Sequence, residues 1–310
     1  MTARPTEELH PDAAGLQDRN DAAVLATILD AQLAAATTVR AAIPSISETA
    51  DLAAHALRNS GRVAYVGAGS SGLMALADAL ELPGTFSIPA ESAPVLFAGG
   101  AEALIAMAGS VEDDENAAIA DCDQLGFRNG DVAICVSVSG RTPYTVAIAE
   151  RARKAGADTV AFVNVPGSPL EKLANVTVLL DTRAELVAGS TRMGAGTAQK
   201  IALNMFSTLV GMRLGHVYEG YMVNLTADNS KLRARASKIV GTLAAVSDDV
   251  AEAALRTTEG SVKHSVLIAA GAANNKTAQK ILEQNDGRLG PALEALRNSN
   301  DTHRSANGHQ

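Results

Sequence analysis

Three short segments combine glycine with hydroxyl side chains and lead directly into helical patterns. They cover residues 67–72, 137–142 and 189–192, and the first two follow candidate strands. Free N–H groups and hydroxyls at a helix N-terminus suit a dianionic phosphate, and glycine lets a ligand approach the backbone closely. The candidate phosphate-binding residues are therefore Gly69, Ser70, Ser71, Ser137, Ser139, Gly140, Arg141, Thr142, Ser190 and Thr191.

The first segment has two other interpretations. Gly67, Gly69 and Gly72 fit the G-x-G-x-x-G pattern of dinucleotide-binding proteins, which requires an acidic residue about 20 positions later, at the end of the second strand. Glu91 is near that distance, but it precedes the apolar residues 95–97, so a single phosphate fits better. The simpler alternative, tight turns with serines that cap helices, is less attractive for three segments than for one.

Two glutamates are candidates for an acid/base pair. Glu81 lies at the end of the helical pattern that begins at Ser70, and Glu112 follows Ser110, which with Asp113 resembles a capping box. A helix C-terminus raises a carboxyl pKa and an N-terminus lowers it. We therefore expect Glu81 to be the protonated general acid and Glu112 the ionised general base. The plain alternative is a solvated helix end for Glu81 and a favourable dipole contact for Glu112.

The elements that must position these residues alternate along the chain. Candidate strands cover residues 62–66, 94–97, 131–136, 159–163 and 176–180. Apolar spacing and helix-end signals predict helices over 20–58, divided at Pro44, then 73–82, ended by Pro83, and then 142–155, 190–213, 229–256 and several short ones in 260–298. The predicted class is α/β, with a doubly wound parallel five-stranded sheet that has helices on both faces. In such a sheet, ligands bind at the carboxyl ends of the strands.

The composition of the chain limits the classes of binding partner and indicates the cellular compartment. A formal net charge of −8 argues against nucleic acid and against an anionic membrane surface. The polar start has no apolar signal segment, and we expect no apolar run that approaches the roughly 20 residues of a membrane span. Two cysteines make no disulfide framework, and the six histidines show no metal-ligand spacing. We expect a cytoplasmic protein.

Further segments complete a specific pattern. They are Thr6-Glu7-Glu8 near the start, Glu81 with Pro83, and residues 98–100, 112–113, 139–144, 189–192, 196–200, 203–205 and 227–232. With residues 67–72, these segments resemble the N-acetylmuramic acid 6-phosphate etherase family, which is built on the sugar isomerase (SIS) fold. The resemblance extends to Leu296. We accordingly divide the chain into an N-terminal arm with helices (1–60), a SIS sugar-phosphate-binding domain (61–240) and a C-terminal helical subdomain with a polar tail (241–310).

The resemblance implies a lyase that uses water to cleave the D-lactyl ether of a phosphorylated amino sugar, in the recycling of cell wall material. The family's acid glutamate matches Glu81 and its base glutamate matches Glu112, with the family's spacing of 31 residues. The reaction would proceed by removal of the C2 proton, elimination of lactate and addition of water. The resemblance also implies no metal or organic cofactor, and a homodimer in which loops of both subunits form each site.

A few positions depart from the family pattern. Leu73 stands where the family usually has Arg, Gly109 where it has Glu, and Gly194 where it has Lys. Lost positive charge at positions 73 and 194 would weaken binding of the phosphate or the lactyl carboxylate, so these departures bear on the substrate rather than on the fold. Glu185 matches a family glutamate and is a further candidate for the site, with a structural role as the alternative.

Two rival functions keep the same fold. An aldose–ketose isomerase would also begin with proton abstraction at C2, but it needs no leaving group at C3, and Glu81 as an acid favours the lyase. A non-catalytic sugar-phosphate-binding regulator is the other alternative. The presence of both Glu81 and Glu112 argues against it.

Overall fold

Five buried parallel strands form the centre of the first of two structural units. The computed structural model describes residues 5–106, 109–225 and 230–307, so residues 227–229 of the matched segment 227–232 lie outside the described part. The first unit comprises residues 1–82 and 89–210. Its strands are β1 (Val63–Gly67), β2 (Val95–Phe97), β3 (Val132–Val136), β4 (Asp158–Val163) and β5 (Val176–Leu179).

The α-helices that begin in this unit flank the strands in sequence. They are α1 (Asp21–Thr38), α2 (Ile43–Arg58), α3 (Gly69–Phe86), α4 (Gly100–Ile105), α5 (Glu115–Leu125), α6 (Pro143–Lys154), α7 (Pro169–Leu173) and α8 (Gly194–Arg213). Short 3₁₀ turns occur at Pro5–Glu7 and Gly109–Asp113, among others. The alternation of strand and helix confirms the α/β class predicted from the sequence.

The order of the strands determines where a ligand can bind. The sheet runs β2-β1-β3-β4-β5, so the chain moves outward from β1 in one direction and from β3 in the other. Gly67 at the end of β1 pairs with Val136 at the end of β3, and Val136 pairs with Phe162. The two following loops therefore emerge side by side at the point where the strand order reverses. In doubly wound sheets this crevice is the usual ligand site.

Helices cover both faces of the sheet, as predicted. On one face, Val66, Cys135 and Val163 pack in a cluster that includes Ile148 of α6 and Leu170 of α7. On the other face, the rings of Tyr65 and Phe162 lie 6.3 and 6.1 Å from the ring of Phe206 in α8. Because strands buried on both faces expose no apolar surface to water, their near-continuous apolar sequence is expected.

Some helix ends differ from the prediction. The α3 helix continues through Pro83 to Phe86, and Phe86 is only 5% exposed. Burial of a Phe side chain contributes about 1.5–3 kcal/mol, which is comparable with the cost of about 3 kcal/mol for an interior proline. The first helical stretch is divided into two helices, as predicted, but the division lies at the 3₁₀ turn Val39–Ala42. Pro44 itself lies in the first turn of α2, where the N–H that a proline lacks has no partner within the helix.

The second unit comprises residues 83–88 and 211–310. It contains the hairpin of β6 (Val217–Tyr218) and β7 (Tyr221–Met222), followed by α9 (Ser230–Ala244), α10 (Asp248–Thr257), α11 (Val262–Ala269), α12 (Asn275–Glu283) and α13 (Leu289–Asn307). The single helix predicted over 229–256 is wrong, because Ala245 adopts a left-handed conformation (φ 53°) between α9 and α10. The predicted domain boundaries at residues 60/61 and 240/241 stay a prediction.

The helical segment Asp21–Arg58 departs from one expectation of the sequence. In length and composition it qualifies as a membrane-spanning candidate, with a mean hydropathy of 1.5 in a window that is 11% buried. Core helices and signal sequences meet the same criterion, so one such segment is weak evidence for a membrane. Part of its apolar character comes from Leu25, Leu29 and Leu33, which are all more than half exposed on α1.

Both cysteines are free and buried within the first unit. Cys122 lies in α5 and Cys135 in β3. Burial raises the pKa of the Cys122 thiol to about 11 and raises the pKa of Cys135 even further. Both thiols therefore remain protonated near neutral pH and are poor nucleophiles.

Candidate active site

A cavity of about 350 Å³ opens at the carboxyl ends of β1 and β3. This volume lies within the range typical of small-molecule sites. The cavity brings together eight of the candidate residues from distant parts of the sequence: Ser70, Ser71, Glu112, Ser137, Ser139, Arg141, Thr142 and Thr191. Gly69 and Gly140 belong to the same loops without lining the cavity, and Ser190, Glu81 and Glu185 do not line it either.

The start of α3 is the part of the cavity best suited to an anion. Within the described part of the chain, no acceptor is hydrogen-bonded to the backbone N–H groups of Ser70 and Ser71, and their hydroxyls have no partner. The first turn of the helix adds a positive dipole end. Gly69 adopts φ +52°, and a Cβ there would overlap the Glu112 carboxylate. The N-terminus of α3 and Glu112 are thus adjacent walls of one site.

The loop after β3 uses its hydroxyls to hold its own shape. Ser137 Oγ accepts the Gly140 N–H at 3.1 Å and lies 2.9 Å from Thr142 Oγ1. The Arg141 N–H donates to Ser139 Oγ at 3.2 Å. These bonds fix a compact turn before α6, and Arg141 adds a positive charge to the cavity wall.

The helix that follows the third segment, residues 189–192, has no N–H groups available for a ligand at residues 194 and 195. Glu185 is 4% exposed, and its two carboxylate oxygens accept the N–H groups of Gly194 (2.9 Å) and Ala195 (2.8 Å) at the start of α8. The structure therefore gives Glu185 a structural role as the cap of α8. Of the segment itself, Gly189 and Thr191 line the cavity and Ser190 does not.

Glu112 lies beside the cavity, but its surroundings differ from the expectation. It is in the 3₁₀ turn Gly109–Asp113, and Asp114, not Ser110, caps the following helix α5 through the Ala117 N–H. Partial burial, and then the charge of Asp113, raise the pKa of Glu112 above its ordinary value. The expected lowering by a helix N-terminus is wrong. A raised pKa makes the ionised carboxylate a stronger base.

Glu81 lies far from this cavity within one chain. It is exposed near the end of α3, twelve residues after Gly69. At 1.5 Å per residue this separation is about 18 Å along the helix axis, well beyond the length of an open sugar chain between two catalytic groups. A single chain therefore does not bring the proposed acid and base together.

The cavity also contains residues that the sequence argument did not select for the site. Thr6 and Glu7 of the N-terminal arm line it, as do Asp113 and the apolar side chains of Val138 and Val165. The only signal for the arm was that Thr6-Glu7-Glu8 begins the family match. No periodic pattern or capping rule connects residues so far apart in sequence.

Leu73, Gly109 and Gly194, which depart from the family pattern, lie at different places in the structure. Gly109 lines a small adjoining cavity of about 40 Å³ with Gly69 and Glu112. Leu73 is half-buried in the first turns of α3. A Cβ on Gly194 would lie only 3.0 Å from Glu185 Oε2, so a side chain here requires a shift of the cap. Among the described residues, no group of three or more His, Cys, Asp or Glu side chains could hold a metal ion.

Family models assign the chain to a known class of domain. Two models described as "SIS domain" match residues 30–164 and 125–209. The phosphoheptose isomerase structure from Francisella tularensis aligns with 63% of this chain and 100% of its own, with a TM-score of 0.49 and 17% identity. By its domain matches, the protein is a SIS-domain α/β protein.

Full-length relatives define the family within this class. The N-acetylmuramic acid 6-phosphate etherase of Deinococcus radiodurans is 42% identical over 94% of this chain and 95% of its own length. The enzymes of that name from Bacillus subtilis and Yersinia pestis are 34% and 37% identical, each over 93% of this chain, and over 95% and 98% of their own lengths. The chain belongs to the N-acetylmuramic acid 6-phosphate etherase family.

Proposed function

We propose that this protein is a carbon–oxygen lyase that converts N-acetylmuramic acid 6-phosphate and water into N-acetylglucosamine 6-phosphate and D-lactate. The observation that carries the proposal is the position of Glu112 next to the start of α3, in a cavity at the switch point of a SIS-type sheet. A phosphate bound by Ser70 and Ser71 would keep an open sugar chain within reach of this carboxylate.

The proposed reaction assigns one task to each glutamate. With the ring open, the C1 aldehyde acidifies the C2 proton, which the Glu112 carboxylate removes. The electrons of the C2–H bond form the C2=C3 double bond as the C3–O bond breaks, and Glu81 protonates the departing lactate oxygen. Water then adds at C3 and a proton returns to C2, with the two glutamates in reversed roles. Each positioned acid or base contributes on the order of 10² to 10⁴ in rate.

The separation of Glu81 from Glu112 leads us to propose a homodimer with shared sites. In this arrangement Glu81 of one subunit acts with Glu112 of the other. The exposed Leu25, Leu29 and Leu33 on α1 support association, because monomers rarely leave apolar stripes in water. We also propose a cytoplasmic location, supported by two free thiols, and no nucleic-acid or membrane partner, supported by the net charge of −8.

The decisive experiment follows lactate release and deuterium at C2 in deuterated water. We expect the wild type to release lactate and to place deuterium at C2, and Glu112→Gln to lose about 10² to 10⁴ in kcat. A sugar phosphate isomerised without lactate release would favour the isomerase alternative, and binding without any turnover would favour the regulator. Absence of both lactate and exchange in the wild type would contradict the lyase assignment.

Mixing two inactive variants tests the shared site. A heterodimer of Glu81→Gln and Glu112→Gln has one site with both glutamates intact, so random exchange of subunits restores about a quarter of wild-type activity. Exchange of two separate Glu112→Gln preparations is the control and restores none. A mixture that stays inactive despite proven subunit exchange would show that the two glutamates do not act across subunits.

A further inference from the structure

The N-terminal arm forms one wall of the cavity, although it is remote in sequence from the other walls. Thr6 and Glu7 of the turn Pro5–Glu7 line the cavity, and the next lining residue in the sequence is Ala68. Thr6 is only 5% exposed. The burial of Thr6 therefore requires an explanation in terms of contacts.

Those contacts join the arm to the loop at residue 189. The Gly189 N–H donates to the Thr6 carbonyl at 2.9 Å. Gly189 adopts φ +74°, a conformation that favours glycine, and a Cβ there would lie 2.8 Å from Glu7 Oε2, so the Glu7 carboxylate would have to move away. The loop thus positions the arm, and the absence of a side chain at residue 189 lets the Glu7 carboxylate lie close to the loop backbone.

The chemistry of the wall indicates what Glu7 binds. Glu7 joins Glu112 and Asp113 around the cavity, and within the described part of the chain its carboxylate has no hydrogen bond or ion pair. A carboxylate repels a phosphate but accepts strong hydrogen bonds from neutral hydroxyls. The start of α3 supplies the N–H and hydroxyl donors that a phosphate needs, so the Glu7 carboxylate is suited to the hydroxyl-bearing part of a bound sugar.

We propose that Glu7 is a substrate-binding residue whose carboxylate accepts hydrogen bonds from hydroxyl groups of the sugar phosphate. This assignment rests on the proposed function, since it takes a sugar phosphate as the ligand of the cavity. It makes the N-terminal arm part of the binding site. Thr6 acts as a positioning residue, because its carbonyl holds the arm to residue 189 while its side chain is buried.

Calorimetric binding tests the assignment without any need for turnover. The ligands are N-acetylglucosamine 6-phosphate and, separately, inorganic phosphate; the proteins are the wild type, Glu7→Ala, Glu7→Gln and Glu8→Ala. Glu8 is the matched control, because it is the adjacent exposed glutamate and does not line the cavity. We expect Glu7→Ala to bind the sugar phosphate about tenfold or more weakly, with phosphate binding unchanged, and Glu8→Ala to match the wild type.

The remaining outcomes separate binding from structure. Glu7→Gln keeps one acceptor oxygen and is expected to recover part of the affinity, which a role in folding alone would not produce. Equal affinities of Glu7→Ala and Glu8→Ala for the sugar phosphate would overturn the assignment, as would equal losses for sugar phosphate and phosphate. Lactate release by the wild type is measured in parallel. A wild type that binds the sugar phosphate but releases no lactate overturns the proposed function and leaves the assignment of Glu7 intact.

Discussion

The first turns of α3 and α8 both carry backbone N–H groups that can bind an anion, but only the first turn of α3 borders the cavity. Both helices are long, both have a glycine- and serine-containing segment at or just before their first turn, and both present backbone N–H groups at a positive dipole end. At α8 the chain supplies its own anion, the buried carboxylate of Glu185. At α3, no carboxylate in the described part of the chain accepts the N–H groups of Ser70 and Ser71, and both serines line the cavity.

This difference explains why a glycine- and serine-containing segment before a helix is not by itself a ligand site. A helix start in the protein interior must satisfy its N–H groups, because unpaired buried donors cost about 1–3 kcal/mol each. A carboxylate from the same chain satisfies them permanently. A helix start left for a ligand must instead border a cavity, where water can satisfy the N–H groups until the ligand binds.

The largest expected effect is a loss of stability when the Glu185 carboxylate, the anion at the start of α8, is removed. Glu185→Ala leaves two buried N–H groups of α8 without an acceptor, and we expect the protein to lose about 3 kcal/mol of stability. Formate or acetate, which can enter the space left by the side chain, should restore part of the lost Tm. Glu102→Ala is the matched control, because Glu102 is an exposed acidic residue in the first turn of α4. A Glu185→Ala protein as stable as this control would refute the capping role.

The second effect concerns affinity rather than stability. Ser70→Ala and Ser71→Ala each remove a hydroxyl that needs no protein partner, so we expect Tm to stay unchanged and inhibition by inorganic phosphate to weaken about tenfold. Ser190→Ala is the control from the segment before α8, because Ser190 does not line the cavity. Similar phosphate inhibition in all three variants would mean that the start of α3 is not the phosphate site.

The third expected effect is smaller and concerns the loop after β3, where one substitution should change both stability and phosphate binding. Ser137→Ala removes the acceptor of the Gly140 N–H and the partner of Thr142, so we expect a loss of about 1 kcal/mol in stability together with weaker phosphate inhibition. Thermal unfolding and inhibition assays on the same preparation measure both. A change in only one of these quantities would show that the loop either shapes the cavity or binds the ligand, but does not do both.

The smallest effect is a shift of the pH profile. Glu112 acts as a base only when ionised, and its pKa is raised by partial burial and by the charge of Asp113. Activity is therefore lost as the pH falls through a pKa that lies above the ordinary glutamate value, and kcat/KM reports this limb. We expect Asp113→Asn, which removes one of the two causes, to move the limb to lower pH. A limb that stays fixed or moves upward would exclude Asp113 as a cause.

Local sequence patterns were sufficient to predict the strands of the sheet and most of the residues that line the cavity. Short apolar runs predicted all five strands, and the loops after β1 and β3 contain most of the predicted lining residues. Both features depend on neighbours in the sequence, which periodicity and turn chemistry can detect. The end of α3 at Phe86 could not be predicted in this way. The Phe86 ring is buried because Gly211, far along the sequence, has no side chain: a Cβ there would lie 2.6 Å from the ring.

The parts that could not be predicted depend on partners remote in sequence. Glu185 caps α8 from nine and ten residues away, whereas an ordinary N-cap lies only two or three residues from the N–H that it accepts. Thr6 and Glu7 reach the cavity through a loop more than 180 positions later. The raised pKa of Glu112 similarly follows from burial, which a helix-end rule does not include.

The two buried cysteines have a practical consequence for observing the arm. With a pKa of about 11, the thiol of Cys122 is a reactive thiolate in about one molecule in ten thousand at pH 7, and Cys135 is still less reactive. A cysteine introduced at the exposed Glu8 would therefore take up a maleimide fluorophore with high selectivity in the native protein. Its emission would report in real time whether residues 5–8 stay docked or release during each catalytic cycle.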